Sequence, residues 1–149
     1  MVKTLEKFPR ARERGGVGII ICVCGMIGSG KTEYAKSQGA VISDFDAIGS
    51  KEEQIKYTLN AEKKLGKVYH TTCFPTLREQ KAFEKMEVRY IWINTGFAQC
   101  RENILKRNRL RDVKNIKETL AKNKEIYEKY RCSRIPFEVV NVFEKGEKW

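Results

Sequence analysis

Gly25-Met26-Ile27-Gly28-Ser29-Gly30-Lys31-Thr32 is the stretch of sequence that decides the fold class. It has the spacing Gly, four residues, Gly-Lys-Ser/Thr, in which the glycines let backbone N–H groups turn inward around phosphate oxygens. A continuous apolar run, Val17 to Cys24, precedes it, and a helical pattern from Lys31 to about Ser37 follows it. This is the strand–loop–helix context that a phosphate loop requires, so the stretch predicts a site for a nucleoside triphosphate.

The members of this loop have separate expected roles. Lys31 should reach the β- and γ-phosphates of ATP, or of another nucleoside triphosphate, and the Thr32 hydroxyl should bind Mg²⁺. The positive end of the helix that begins near Lys31 should strengthen the field on the phosphates. The nucleotide is expected to contact Gly25, Gly28, Ser29, Gly30, Lys31 and Thr32.

Strands alternate with helices along the rest of the chain. They include a helix over residues 75–86, with Leu77 and Phe83 facing inward, and a last strand over residues 137–143. This order predicts an α/β fold of the P-loop NTPase type that small kinases have: a parallel β-sheet with helices on both faces. Ligand sites in such folds lie at the carboxyl ends of the strands, so the loops after Cys24, Ile42, His70 and Asn94 should line one cleft. Residues 16–149 are expected to form a single domain, and the charged residues 1–15 a mobile basic arm.

Composition narrows the range of partners. The chain carries 30 Lys and Arg against 19 Asp and Glu, a net charge of +11, which favours nucleic acid, although solubility alone also explains it. No run of about 18 apolar residues is present, which argues against a membrane span and favours a cytoplasmic protein. The five cysteines fit no zinc spacing, and Cys22 and Cys24 lie in the first strand, where they act as small hydrophobes.

Two carboxylates follow the second predicted strand, in the sequence Asp44-Phe45-Asp46. A carboxylate at this place can accept the proton of an attacking hydroxyl or help to hold Mg²⁺. Asp44 directly follows the strand and is the first choice for both roles. Asp46 lies two residues further and can point the same way, toward the substrate. The alternative is a solvated turn, in which aspartate is common.

Two other classes of nucleotide-binding protein fit the sequence less well. GTPases read guanine with Asn-Lys-x-Asp, whereas the nearest match, Asn123-Lys124-Glu125-Ile126, lacks the Asp and lies inside a predicted helix. Motor and transporter ATPases have an acidic pair at a strand end, whereas the fourth strand ends in Asn94-Thr95-Gly96. The residues that activate water are therefore missing at that point, which favours phosphoryl transfer over hydrolysis.

A basic segment, Lys106-Arg107-Asn108-Arg109-Leu110-Arg111, joins two predicted helices. Phosphoryl transfer needs positive charge around the moving group, and a planar guanidinium can bind two of its oxygens at once. A solvated basic helix end, favoured by the helix dipole, explains the same residues equally well. On spacing alone, the two interpretations stay open.

The phosphate loop, Asp44 and Arg107-Asn108-Arg109-Leu110-Arg111 together resemble the kinase domain of 5′-hydroxyl polynucleotide kinases of the phage and metazoan type. The resemblance covers about residues 16–130. It implies that Asp44 is the general base and that Arg111, the last arginine of an Arg-Asn-x-x-Arg pattern, stabilises the transferred group. The further residues that it places at the site are Arg107 for the nucleotide, and Thr71 and Arg109 for the substrate.

The sequence departs from this family at two places. Ala47-Ile48 stands where the family often has an arginine for a substrate phosphate, and His70-Thr71-Thr72 stands in place of Asp-Thr-Asn. Thr71 keeps the middle position, whereas the acid is absent. His70, the only histidine, is either a satisfied strand-end residue or a substrate contact.

A second family has a similar beginning. The phosphate loop followed by Gly39-Ala40-Val41-Ile42-Ser43-Asp44-Phe45-Asp46 is similar to the start of dephospho-coenzyme A kinases, which also use an Asp at the second strand end. Those enzymes have a helical substrate-binding insertion after that strand. Only one helix fits between Asp46 and Val68 here, which argues against this family.

Three functions follow from these patterns. The leading one is ATP-dependent phosphorylation of the 5′-hydroxyl of DNA or RNA, with single-stranded or nicked 5′ ends as partners, as in nucleic acid repair. The second is a kinase for a small nucleoside, nucleotide or coenzyme precursor. The third is a nucleic-acid-binding sensor of nucleoside triphosphates without transfer activity. The net charge favours the first and third, whereas Asp44 with Arg111 favours the first and second.

Overall fold

The structure is a computed structural model that describes residues 18–143. The basic arm expected at residues 1–15 lies outside the described residues, and so do residues 144–149. Five parallel strands form one sheet in the order β2-β3-β1-β4-β5, which confirms the predicted fold class. The strands are β1 Ile19–Cys24, β2 Val41–Asp44, β3 Lys67–Thr72, β4 Glu87–Ile93 and β5 Glu138–Val140.

Seven helices connect the strands within residues 18–143. They are α1 Lys31–Ser37, α2 Phe45–Ile48, α3 Lys51–Leu65, α4 Leu77–Phe83, α5 Phe97–Arg107, α6 Leu110–Val113 and α7 Ile116–Arg131. The start of α3 agrees with the sequence, because the Ser50 side chain accepts a hydrogen bond from the Glu53 backbone N–H. No helix within the described residues combines the length and apolar character needed to cross a membrane.

The central strand β1 is buried because it carries apolar side chains on both faces of the sheet. Ile21 and Val23 face α1 and pack with Ala35. Cys22 and Cys24 face the opposite side and pack in a cluster with Trp92 and Cys100. Both β1 cysteines are fully buried and free, which agrees with their predicted role as small hydrophobes.

Three details of the sequence prediction need correction. Leu77 was expected to face the core, but it is the first residue of α4 and its side chain is 84% exposed, whereas Phe83 is buried as predicted. The last strand spans three residues rather than 137–143. The strands β2 and β3 end at Asp44 and Thr72, so the loops at the cleft begin two residues later than the predicted strand ends at Ile42 and His70.

Candidate phosphoryl-transfer site

The phosphate loop connects β1 to α1 and follows the strand-to-helix turn that the motif predicts. Gly28 has a φ of 83°, and a Cβ on it would lie 2.7 Å from the carbonyl oxygen of Cys100. Gly30 has a φ of 99° directly before α1. Both positions require glycine, because a side chain would be strained in this backbone conformation and at Gly28 would also collide with α5.

Three polar side chains outside the loop hold its backbone in place. Thr95 Oγ1 donates to the carbonyl of Ser29 at 2.7 Å, and Asn103 Nδ2 donates to that of Gly28 at 2.8 Å. Asn123 of α7 makes two bonds to Ile27: its Oδ1 accepts from the backbone N–H at 2.7 Å and its Nδ2 donates to the carbonyl at 3.0 Å. The loop is therefore held in its curved shape by β4, α5 and α7 together.

Two side chains of the loop carry the groups that phosphates would meet. The Lys31 ammonium lies 3.0 Å from the carbonyl oxygen of Gly25 and 2.9 Å from that of Met26, so it is folded back across the loop. The Ser29 hydroxyl is buried and has no hydrogen-bond partner among the described residues. A buried polar group without a partner is uncommon and is costly unless something else binds it. Both groups are thus available to an anionic ligand.

Asp44 is the last residue of β2 and lies beside Thr71 in the register of the β2–β3 pair. The Thr71 hydroxyl donates to Asp44 Oδ1 at 2.9 Å. No described residue forms a hydrogen bond with the other carboxylate oxygen, Oδ2, so this oxygen can accept a proton or a bond from a ligand. The register of the sheet therefore orients the carboxylate that the sequence assigns as the base.

Asp46 lies two residues further, in α2, and binds both outer arginines of the basic segment. Its carboxylate oxygens lie 2.8 Å from Arg109 Nη1 and 2.9 Å from Arg111 Nη1. Burial alone would raise the pKa of Asp46, but the hydrogen bonds and charges of Arg111 and Arg109 outweigh it and lower the pKa. Asp46 is therefore ionised and connects α2 to the arginines of the basic segment in the ligand-free state.

The basic segment is shaped by one residue in the left-handed region. Asn108, with a φ of 51°, ends α5 and turns the chain into α6. Asp112 of α6 is buried, and its carboxylate lies 3.1 Å from Arg111 Nε and 3.5 Å from Arg107. Its charge helps Asp46 to raise the pKa of Arg111. The segment is thus a turn with defined contacts rather than only a solvated basic helix end.

His70 belongs to a buried polar network behind β3. Its side chain is fully buried between Thr58, which lies 2.6 Å from Nδ1, and the Glu79 carboxylate at Nε2. Burial lowers the pKa of His70, although Glu79 opposes this shift. For Glu79, burial acts to raise the pKa, but His70, the Thr76 backbone and Lys51 lower it to about 2. The strand-end interpretation of His70 therefore holds: it is neutral and packs away from the cleft.

Lys51 links this network to the cleft. Its ammonium donates to Gln54 Oε1 at 2.8 Å, Glu79 Oε2 at 3.0 Å and Thr72 Oγ1 at 3.2 Å, and it lies 5.1 Å from the centre of the Phe45 ring. An ammonium has three protons, and all three have partners here. Lys51 therefore joins α3, β3 and α4 at the edge of the cleft.

One cavity of about 560 Å³ brings these elements together. Its lining includes two aromatic residues, Phe45 and Phe74. Of the residues assigned to the site from sequence, Gly25 does not line it, and neither does the loop after β4, whose Thr95 binds the phosphate loop from behind. The assigned residues that do line it are Gly28, Ser29, Gly30, Lys31, Thr32, Asp44, Asp46, Thr71, Arg107, Arg109 and Arg111.

Sequence reasoning missed the residues that hold the loop from outside. Asn123 had a signal: it is a polar residue in line with the apolar positions Ile116, Leu120, Tyr127 and Tyr130 of the long helix, and it is buried. Asn103 and Lys51 lie at positions that the apolar pattern of their helices does not mark as buried, so they had no such signal. No group of three or more His, Cys, Asp or Glu side chains within residues 18–143 could hold a metal ion by itself.

No protein-family model matches the chain, and no curated protein matches it significantly. Solved structures do. A gluconokinase from Sinorhizobium meliloti matches with a TM-score of 0.58 at 15% identity, over 86% of this chain and 84% of that one. A shikimate kinase from Acinetobacter baumannii, in complex with shikimate, matches with a TM-score of 0.56 at 15% identity, over 91% and 89%.

A chain of the Pnkp1/Rnl/Hen1 RNA repair complex also matches, with a TM-score of 0.50 at 15% identity. The match covers 73% of this chain but only 46% of that one. At such identities, the similarity establishes the fold alone. The parallel sheet, its strand order and these three likenesses together show that the chain has the α/β fold of P-loop kinases.

Proposed function

We propose that this chain is an ATP-dependent kinase whose acceptor is the 5′-hydroxyl end of a DNA or RNA strand. One observation carries the proposal: the phosphate loop, the Asp44 carboxylate and the guanidinium groups of Arg109 and Arg111 line the same cavity. Phosphoryl transfer needs a cradle for the donor, a base for the acceptor hydroxyl and positive charge around the moving group. Residues that can supply each of these three parts line that cavity.

The donor half of the cavity fits a nucleoside triphosphate with Mg²⁺. Lys31 would turn from the carbonyls of Gly25 and Met26 to the β- and γ-phosphates, and the buried Ser29 hydroxyl would gain a partner. The Thr32 hydroxyl and the Asp44 carboxylate are hard oxygen ligands, which suit Mg²⁺ when phosphate oxygens and water complete its shell. When bound, the ion would neutralise negative charge on the phosphates.

Asp44 would act as the general base. The oxygen of the acceptor hydroxyl forms a bond to the γ-phosphorus, its proton passes to Asp44, and the bond from the γ-phosphorus to the bridging oxygen breaks, which releases ADP. Thr71 donates to Asp44 Oδ1 at 2.9 Å and leaves Oδ2 for the incoming hydroxyl. A fixed carboxylate saves the cost of orienting it in the transition state.

Of the two outer arginines of the basic segment, Arg109 and Arg111, the second would supply positive charge to the moving group. Both are held by Asp46 at rest, so one of them, Arg111, must exchange this partner for the oxygens of the transferred group. The exchange costs little, since exposed ion pairs contribute about 0–1 kcal/mol. Arg109 could remain on Asp46 and face the acceptor.

A kinase for a small metabolite is the second candidate, and the cavity volume favours it. A volume of about 560 Å³ lies within the range of about 300–1,000 Å³ that is typical of small-molecule sites. The net charge of +11 favours the polynucleotide instead, because a strand offers several phosphates and a mononucleoside offers none.

The proposal is tested by transfer of labelled γ-phosphate from ATP to a ten-nucleotide strand with a free 5′-hydroxyl. The same strand carrying a 5′-phosphate is the matched control and should stay unlabelled. Lys31→Ala should abolish labelling, because it removes the positive charge that contacts the β- and γ-phosphates. Nucleotide binding should weaken less than transfer, because the backbone N–H groups of the loop remain. Wild-type transfer by a folded Lys31→Ala variant would disprove the assignment of the phosphate loop.

A further inference from the structure

One side of α7 forms a wall of the cavity. The α7 residues that line the cavity share one face of the helix, because most of them are spaced three, four or seven residues apart. They are Glu118, Thr119, Lys122, Ile126 and Lys129. The same helix holds the phosphate loop through Asn123. Its wall is therefore fixed in position relative to the site of transfer.

Lys122 and Lys129 differ from the other cations of the cavity. Lys51, Arg107, Arg109 and Arg111 are bound to carboxylates in the ligand-free state, and Lys31 is bound to two backbone carbonyls of the phosphate loop. Lys122 and Lys129 are exposed, and neither ammonium has a carboxylate within ion-pairing distance in the described part of the chain. They are consequently cations of this wall that a ligand can bind without first displacing an ion pair.

We propose that Lys122 and Lys129 form a track for the backbone phosphates of the acceptor strand, downstream of its 5′ end. This inference rests on the proposed function. At about 1.5 Å per residue, the two lysines lie roughly 10 Å apart along α7, so they can contact different phosphates of one strand. Flexible, hydrated ammonium groups suit such contacts, which position a strand without reading its sequence.

The helix supplies its own control. Lys117 and Lys124 are also exposed and also seven residues apart, but they do not line the cavity. At about 100° per residue, they lie on the opposite side of α7 from Lys122 and Lys129. Neutralising either pair changes the net charge of the protein by the same two units on the same helix, so only the position of the charge differs.

The test compares the double variants Lys122→Gln/Lys129→Gln and Lys117→Gln/Lys124→Gln, both in the full chain. Fluorescence anisotropy measures the Kd of a ten-nucleotide strand and of a trinucleotide between 50 and 200 mM salt. The cleft-facing variant should weaken binding of the ten-nucleotide strand about fivefold or more, and should flatten the slope of log Kd against log salt by about 1.4, or 0.7 for each lost contact. The trinucleotide should lose less affinity than the ten-nucleotide strand. The outward-facing variant, Lys117→Gln/Lys124→Gln, should change the Kd and the salt slope of the ten-nucleotide strand by less than about twofold.

Equal effects of the two double variants would overturn the phosphate track, because general surface charge would then explain the binding. Labelling of the 5′-hydroxyl by the wild-type protein, measured separately, distinguishes this result from failure of the proposed function. If the wild-type protein labels only a small molecule, the proposed function fails and the track fails with it. If it labels the strand and only the Kd comparison fails, the track alone is wrong.

Discussion

Replacing Asn123 with alanine should release the phosphate loop and destabilise the fold. The Asn123 side chain is 1% exposed and makes two hydrogen bonds to the backbone of Ile27, at 2.7 and 3.0 Å. Alanine cannot make either bond, so the N–H and the carbonyl of Ile27 would lose their partners. The substitution also leaves a gap between α7 and the loop.

The size of the effect follows from these contacts. A buried polar group that loses its partner costs about 1–3 kcal/mol. Two such groups are affected here, the N–H and the carbonyl of Ile27, but water can reach part of this site. The free energy of unfolding should therefore fall by about 2–4 kcal/mol. For a chain of this length, that lowers Tm by roughly 6–13 °C. A loop that must be ordered on binding costs about 1–2 kcal/mol for each residue fixed, so the Kd for ATP should rise about 5–30-fold.

Urea unfolding and calorimetric titration with ATP would measure both quantities. Asn103→Ala is the matched control, because Asn103 makes one bond to the loop, from Nδ2 to the Gly28 carbonyl, and is half-buried. It should cost about 1 kcal/mol. An Asn123→Ala protein with the unfolding midpoint and ATP affinity of the wild type would refute the reasoning, since the loop would then be held by other means.

Three further predictions concern the site and its support. Asp44→Asn should lower kcat about a hundredfold, the usual scale for a positioned base, and Asp46→Asn should lower kcat less. If steady-state kinetics give the reverse order, Asp46 rather than Asp44 is the general base. Arg111→Ala should lower kcat more than it raises KM, because its contact forms mainly in the transition state, whereas an unchanged kcat would leave the arginine without a role in transfer. The pKa of Glu79 is lowered to about 2 in the folded protein, from about 4.5 in the unfolded chain. Its carboxylate therefore stabilises the fold above pH 4.5, and this stabilisation is lost as the pH falls toward 2. Urea unfolding should therefore show a loss of about 3 kcal/mol from this group over that interval, and Glu79→Gln should remove the loss; an equally steep pH dependence in the variant would exclude Glu79 as its source.

The sequence predicted those parts of the site that depend on short stretches. The phosphate loop and the Asp44 strand end are local patterns, each decided by a few adjacent residues next to a buried strand. The parallel sheet followed from the alternation of strands and helices. Leu77 was placed incorrectly because a seven-residue helix has too few turns for its apolar residues to define a face.

The supporting contacts could not be predicted because they join distant residues. Asn123 and Ile27 are 96 positions apart, and Asn103 and Gly28 are 75 apart. Their pairing depends on how α5 and α7 pack against the loop, which no local pattern specifies. The attachment of Arg109 and Arg111 to Asp46 is similar, because it joins residues more than 60 positions apart. A sequence pattern indicated that these residues belong to one site but not which of them are partners.

Competition between acceptors shows which hydroxyl this chain phosphorylates. Labelled ATP would be offered with equal concentrations of a 5′-hydroxyl ten-nucleotide strand, a mononucleoside and dephospho-coenzyme A, and kcat/KM measured for each at 50 and 200 mM salt. We expect the strand to be preferred by a wide margin and its preference to fall steeply as salt rises, since phosphate contacts release counterions. Preferred labelling of either small molecule, with kcat/KM nearly independent of salt, would exclude a polynucleotide acceptor and identify the chain as a kinase for a small metabolite.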